Sequence, residues 1–98
     1  MSKLSAEELA GWIADHAPWR VEGDALVRDY AFADFAGALA FVVEVGAVAQ
    51  ARDHHPDVAL GWGKVKLVWT THDEGGVTAR DKTLAEESDR RYHPPSRS

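Results

Sequence analysis

An apolar run from Phe35 to Ala49, interrupted only by Glu44, constrains this chain more than any other feature. The run is shorter than the about 20 residues that span a bilayer, so it predicts a buried helix rather than a membrane anchor. A helix with so little polar surface needs a large apolar area to cover it, and a chain of 98 residues has only a small core. We therefore expect this helix to bury part of its surface against another subunit.

Length and composition exclude several classes of protein. The 98 residues are enough for one domain, so we expect residues 1–98 to form a single domain. A net charge of −5 argues against broad electrostatic binding to nucleic acid. The absence of cysteine excludes disulfide scaffolds, thiolate metal sites and cysteine nucleophiles. Glu7 and Glu8 occupy positions where a secretory signal would need an apolar core, which predicts a cytoplasmic protein.

Three helix starts can be identified from the sequence. Ser5 and Glu8 have the spacing of a capping box, and Thr78 and Asp81 repeat that spacing before the last helix. Asp34 is a candidate N-cap for the apolar helix. These starts divide the chain into a first, a middle and a last helix.

The segments between the helices predict two β-hairpins, with turns at Gly23-Asp24 and Gly63. The resulting order is α-β-β-α-β-β-α, followed by a tail at about residues 92–98 that we expect to be disordered. This order predicts the α+β class, with a four-stranded antiparallel sheet and helices packed on one face.

Three of the five histidines are expected to meet at one rim of this fold. His54 and His55 lie at the end of the middle helix, directly before Pro56, and His72 follows the last strand. Asp81 lies in the first turn of the last helix, which reaches the same rim. Because imidazole titrates near neutral pH, such a cluster is suited to general acid–base catalysis.

Each of these residues also has a structural explanation. Asp81 could serve only to complete the cap at Thr78, although the two roles are compatible. The histidines could bind zinc or iron together with an aspartate, but adjacent histidines point in divergent directions and no H-x₃-H spacing is present, so we expect no metal. Trp19 lies near a strand end, where it could line a ligand pocket or pack in the core.

The spacing of these residues resembles the signature of the pterin-4a-carbinolamine dehydratases. The matching positions are His54-His55-Pro56, Trp62, His72 and Asp81, together with the strings Thr70-Thr71-His72-Asp73 and Gly75-Gly76-Val77-Thr78. The similarity extends over about residues 5–86. A spacing that holds over nearly thirty residues is a specific signal.

The resemblance implies dehydration of 4a-hydroxytetrahydrobiopterin, or a related pterin, to the quinonoid dihydropterin and water during tetrahydrobiopterin recycling. It also implies this same fold in a homodimer or homotetramer, and activity without a metal or bound cofactor. His54 and His72 would be the acid–base pair, His55 would bind and polarise the substrate, and Asp81 would orient an imidazole. The residues implied to surround the pterin are Trp19, Asp53, Thr70, Thr71 and Asp73.

One position departs from the family pattern. Gln50 stands four residues before His54, where the family usually has a charged residue, and that spacing is one helical turn. We expect Gln50 near the substrate, where its amide can accept a hydrogen bond but supplies no charge. This departure leaves an alternative open, in which the protein is a pterin-binding or regulatory homo-oligomer with weakened turnover.

Overall fold

The computed structural model describes residues 2–94, which form three helices and four strands in the predicted order. The helices are α1 (Ala6–Asp15), α2 (Phe35–Ala51) and α3 (Ala79–Arg90). The strands are β1 (Arg20–Glu22), β2 (Ala25–Ala31), β3 (Asp57–Gly61) and β4 (Lys64–Trp69). One turn of 3₁₀ helix, His72–Glu74, follows β4. The predicted α+β fold is confirmed.

All three predicted helix starts are confirmed. Ser5 and Thr78 each form a capping box with the acidic residue three positions later, and the Asp34 side chain accepts the backbone N–H of Gly37 at 2.8 Å. These contacts satisfy N–H groups that have no partner within their own helix. Because Asp81 completes the box at Thr78, the start of α3 also holds one of the predicted site residues in place.

The sheet is antiparallel throughout, in the order β1-β2-β4-β3. Leu26 pairs with Trp69 and Tyr30 with Val65 across the two central strands, so these four buried side chains share one face. All three helices contribute to the core on that face, through Trp12, Ala38, Phe41, Val45, Leu84 and Ala85. None of the helices within residues 2–94 has both the length and the apolar character needed to cross a membrane.

Trp19 lies in this core, which corrects the expectation that it lines a ligand pocket. The side chain is 2% exposed, and its ring centroid is 6.2 Å from the rings of both Trp12 and Tyr30. Its indole Nε1 donates a hydrogen bond to Asp89 at 2.9 Å. Burial with a partner for the indole N–H is the usual environment of a core tryptophan.

The start of the C-terminal tail also differs from the expectation of disorder. Tyr92 packs edge-on against Tyr30 and Phe32, and its hydroxyl donates a hydrogen bond to the carbonyl of Ala31 at 2.8 Å. An aromatic side chain can bury its ring and still satisfy its hydroxyl, and this contact fixes the chain just after α3. Residues 95–98 of the predicted tail lie outside the described residues.

Candidate active site

A cavity of about 330 Å³ lies where the end of α2, the end of β4 and the start of α3 meet. Its lining residues are Asp53, His54, His55, Thr70, Thr71, His72, Asp73 and Arg80. The cavity therefore brings together most of the residues that the sequence predicted. Of the other predicted residues, Asp81 and Gln50 contact the lining histidines and Trp19 lies in the core.

The turn after α2 separates the two adjacent histidines. Asp53 has φ +50°, in the left-handed region that residues with a Cβ seldom adopt. The backbone N–H of Asp53 donates to the Gln50 carbonyl at 3.2 Å, and that of His54 donates to the Ala49 carbonyl at 3.1 Å. As a result His54 is buried while His55 is exposed, in agreement with the expected divergence of neighbouring side chains.

His54 is held by a buried carboxylate that lies below the cavity lining. Its Nε2 lies 2.6 Å from Oδ1 of Asp81, whose side chain is fully buried. A carboxylate can only accept, so Nε2 donates to it. The other oxygen of Asp81 accepts the Thr71 hydroxyl at 2.7 Å and the backbone N–H of Thr78 at 2.9 Å. Asp81 thus caps α3 and holds the imidazole at the same time.

The face of the His54 ring is also held. It stacks on Trp69 with a centroid separation of 5.8 Å and an interplanar angle of 20°. Since Nε2 is bonded to Asp81, Nδ1 is the ring nitrogen that remains for proton exchange with a ligand. The alternation in β4 predicts a buried Trp69, but a contact with His54 depends on packing between distant segments.

His55 is paired with Gln50, which corrects the expectation that Gln50 lies one helical turn from His54. His55 Nε2 donates to Gln50 Oε1 at 2.8 Å. Gln50 and His54 do not lie one helical turn apart, because α2 ends at Ala51 and the chain turns at Asp53. Gln50 is therefore a neighbour of the predicted substrate-binding histidine rather than of the buried one.

His72 and Asp73 lie on a short loop that follows β4. Two backbone hydrogen bonds between Thr71 and Gly76, at 3.0 and 3.3 Å, close this loop. Gly75 has φ +77°, a conformation that glycine adopts without steric cost. The loop places two exposed polar side chains at the cavity, one imidazole and one carboxylate.

Thr70 and Thr71 line the cavity, but their hydroxyls are engaged within the protein. Thr70 Oγ1 donates to the Asp24 carbonyl, and Thr71 Oγ1 donates to Asp81. The resemblance implied that these two residues surround the pterin, and a hydrogen bond from either hydroxyl to a ligand would compete with the existing partners. Their clearest role in the structure is to hold the β1–β2 turn and the buried aspartate.

Arg80 lines the cavity and was not predicted from the sequence. Its Nη2 donates to the carbonyl of Asp53 at 3.1 Å, with a longer contact of 3.5 Å to that of Arg52. The only sequence signal was its position directly before Asp81 in the first turn of α3. Within residues 2–94, no group of three or more His, Cys, Asp or Glu side chains is arranged to hold a metal ion.

Comparisons with known proteins identify the relatives of this chain. Residues 2–91 match the family model for pterin 4 alpha carbinolamine dehydratase. A Chloroflexus aurantiacus protein provisionally named as that dehydratase is 41% identical over 85 residues, 87% of this chain and 91% of its own. A Metallosphaera sedula protein with the same provisional name is 40% identical over 89 residues, 91% of this chain and 93% of its own.

Two solved structures share the fold. The crystal structure of a transcriptional coactivator/pterin dehydratase from Brucella melitensis superposes with a TM-score of 0.88 at 28% identity, covering 94% of this chain and all of the other. A pterin dehydratase-like protein identified as a RuBisCO assembly factor in the α-carboxysome superposes at 0.65 with 17% identity, covering 78% of this chain and 88% of its own. The second likeness concerns the fold alone. With the family model matched over nearly the whole sequence, the chain belongs to the pterin 4 alpha carbinolamine dehydratase family.

Proposed function

We propose that this protein is a hydro-lyase that dehydrates 4a-hydroxytetrahydrobiopterin, or a close pterin analogue, to the quinonoid dihydropterin and water. The observation that carries the proposal is the buried His54–Asp81 pair, at 2.6 Å, in the wall of a cavity that His55 and His72 also line. The proposed place of the reaction is tetrahydrobiopterin recycling in the cytoplasm.

The reaction requires two proton transfers. A base removes the proton from the ring nitrogen next to C4a, and the electron pair released forms a C=N double bond. The C4a–O bond breaks as an acid protonates the departing hydroxyl, which leaves as water. In this proposal His54 and His72 exchange these protons, and each contribution of this type is typically worth about 10²–10⁴-fold in rate.

The remaining cavity residues would bind and orient the pterin. His55 would bind and polarise the substrate, since Gln50 holds its Nε2 and leaves Nδ1 available. Asp53 and Asp73 are exposed carboxylates at the cavity and could accept hydrogen bonds from ring N–H groups. Asp81 is a positioning residue, because its oxygens are engaged by protein donors below the cavity surface.

Decay of the 4a-carbinolamine measured by stopped-flow spectroscopy tests the proposal directly. The carbinolamine should disappear faster with the protein than without it, in proportion to protein concentration. The same acceleration is expected after dialysis against a chelator, because the proposed mechanism uses side chains alone. A rate equal to the uncatalysed rate at all protein concentrations would refute the enzymatic proposal.

A second candidate is a pterin-binding or regulatory homo-oligomer with weakened turnover. Gln50 favours it, because an amide contacts His55 where the family usually carries a charged residue. Equilibrium binding of a stable tetrahydropterin separates the candidates when combined with the kinetic assay. Saturable binding without acceleration of carbinolamine decay would support the second candidate over the first.

A further inference from the structure

Two consecutive residues of α3 contact the turn that carries the adjacent histidines. Asp81 bonds to the side chain of His54, and Arg80 donates to the backbone carbonyl of Asp53 at 3.1 Å. One contact fixes the ring and the other fixes the chain directly before it. The N-terminal turn of α3 therefore holds both the side chain of His54 and the backbone of the turn directly before it.

The backbone of this turn needs such support. Asp53 has φ +50°, a sparsely populated conformation for a residue with a Cβ. The last carbonyls of a helix also lack partners within the helix. A planar guanidinium presents several N–H donors in a fixed plane, which suits it to bridge carbonyls of neighbouring residues better than a single ammonium group.

We propose that Arg80 is a positioning residue, which holds Asp53 in the left-handed conformation that separates His54 from His55. Through this contact Arg80 sets the distance between the buried imidazole of His54 and the exposed imidazole of His55. Its predicted effect on turnover rests on the proposed function, whereas its effect on the turn does not. Arg80 would act on the reaction through the histidines rather than through its charge.

Arg52 provides a matched control for the charge of Arg80. Both arginines are exposed and line the same shallow depression beside the cavity. Within residues 2–94 the Arg52 side chain has no hydrogen bond or ion pair, whereas that of Arg80 bonds to the turn. Arg52→Ala therefore removes an equal charge nearby and leaves the contact with Asp53 in place.

Amide hydrogen exchange tests the effect on the turn without any substrate. In Arg80→Ala, exchange at the amides of Asp53 and His54 should accelerate by about tenfold or more, because local opening becomes easier. Exchange at Val45 in the middle of α2 should not change. Arg52→Ala should match the parent protein at all three amides. Parent-like exchange at Asp53 and His54 in Arg80→Ala would overturn the proposal.

Kinetics then separate positioning from direct binding. Arg80→Ala should lower kcat by about tenfold with little change in KM and an unchanged melting temperature, and Arg80→Lys should recover part of kcat. Arg52→Ala should retain parent kinetics. A rise in KM alone, or equal losses in the two alanine variants, would overturn the proposal by showing that charge acts on the substrate. If the parent has no turnover, the proposed function fails and the exchange experiment decides the role of Arg80.

Discussion

His72 differs from the other two cavity histidines in having no side-chain hydrogen bond within residues 2–94. His54 is held by Asp81 and His55 by Gln50. An exposed imidazole on a loop can approach a ligand without breaking an internal contact. His72 is therefore the residue whose removal should affect chemistry with the least effect on folding.

His72→Ala should lower kcat by roughly 10–10³-fold, because one of the two proton transfers loses its side chain. The melting temperature should stay near that of the parent protein, since the side chain is exposed. His93→Ala is the control, because His93 is exposed and lies outside the cavity. Parent-like turnover in His72→Ala, on a carbinolamine that the parent dehydrates, would contradict the assignment of His72.

Gln50→Glu should displace the pH–rate profile toward higher pH. A carboxylate at this position would contact His55 and favour its imidazolium form, which then persists to higher pH. Gln50→Leu removes the hydrogen-bond acceptor without adding charge, and it should not produce this displacement. Coincident profiles for Gln50→Glu and the parent would show that His55 does not titrate in the reaction.

Tyr30 should make stability decline at alkaline pH. Burial, together with the hydrogen bond to Asp89, raises the pKa of Tyr30 well above its ordinary value. The unfolded chain loses this proton at about pH 10 while the folded protein retains it, so the free energy of unfolding falls as pH rises beyond that point. Urea unfolding from about pH 8 to 11 measures the fall.

Tyr30→Phe should reduce this alkaline decline, although the lost hydrogen bond lowers stability at all pH values. Tyr92→Phe is the control, because Tyr92 is the second of the two tyrosines in the chain and only partly buried. The free energy of unfolding of Tyr92→Phe should still fall at alkaline pH, as in the parent protein. Equal slopes above about pH 10 in the parent and Tyr30→Phe would exclude Tyr30 as the cause.

At the scale of the elements, the two capping boxes have different consequences. The box at Ser5 begins α1 on the surface, whereas the box at Thr78 is buried and includes the Asp81 carboxylate that bonds to His54. The start of α3 is therefore both a helix cap and part of the cavity wall. Loss of either cap should destabilise its helix, but only one should alter the site.

Ser5→Ala and Thr78→Ala should each lower the free energy of unfolding, by about 1 kcal/mol for the exposed cap and by more for the buried one. Only Thr78→Ala should also lower kcat, because its hydroxyl lies 3.0 Å from that of Thr71 beside the carboxylate. Denaturant unfolding and the carbinolamine assay on both variants check this. A kcat loss in Ser5→Ala would show that turnover follows overall stability instead.

At the scale of the whole molecule, the middle helix and the edge strand beside it carry exposed apolar side chains. Phe35, Leu39 and Val43 recur every four residues along α2 and are 44%, 43% and 63% exposed. Val58 and Leu60 of the neighbouring edge strand β3 are 42% and 37% exposed. Several exposed apolar side chains on adjacent elements of a small domain are typical of an interface between subunits.

Light scattering should therefore give the mass of a dimer or tetramer at micromolar concentration, rather than the 10.7 kDa of one chain. Val43→Lys places a charge on the exposed face of α2 and should shift the mass toward the monomer. Ala14→Lys, on the exposed surface of α1, should leave the assembly unchanged. A parent protein that scatters as a monomer would refute the predicted homo-oligomer.

Much of the architecture could be predicted from the sequence because its signals are local. The caps at Ser5, Asp34 and Thr78 depend on residues three positions apart, and the hairpin turns depend on a few residues around Gly23 and Gly63. The proximity of three histidines followed from the order of these elements. The spacing from His54 to Asp81 then indicated the family, because several chemically suited residues matched at once.

Tertiary structure decided which polar groups outside the helix caps bond to one another. Trp19 packs in the core, where Asp89, seventy residues later, accepts its indole N–H. Gln50 met His55 rather than His54 because the chain leaves the helix before either histidine. Arg80 donates to the carbonyl of Asp53 in an irregular turn, and hydrophobic periodicity predicts no contact of this kind. Such pairings depend on packing between distant segments or on irregular turns, whereas a sequence pattern reports only neighbours along one helix or strand.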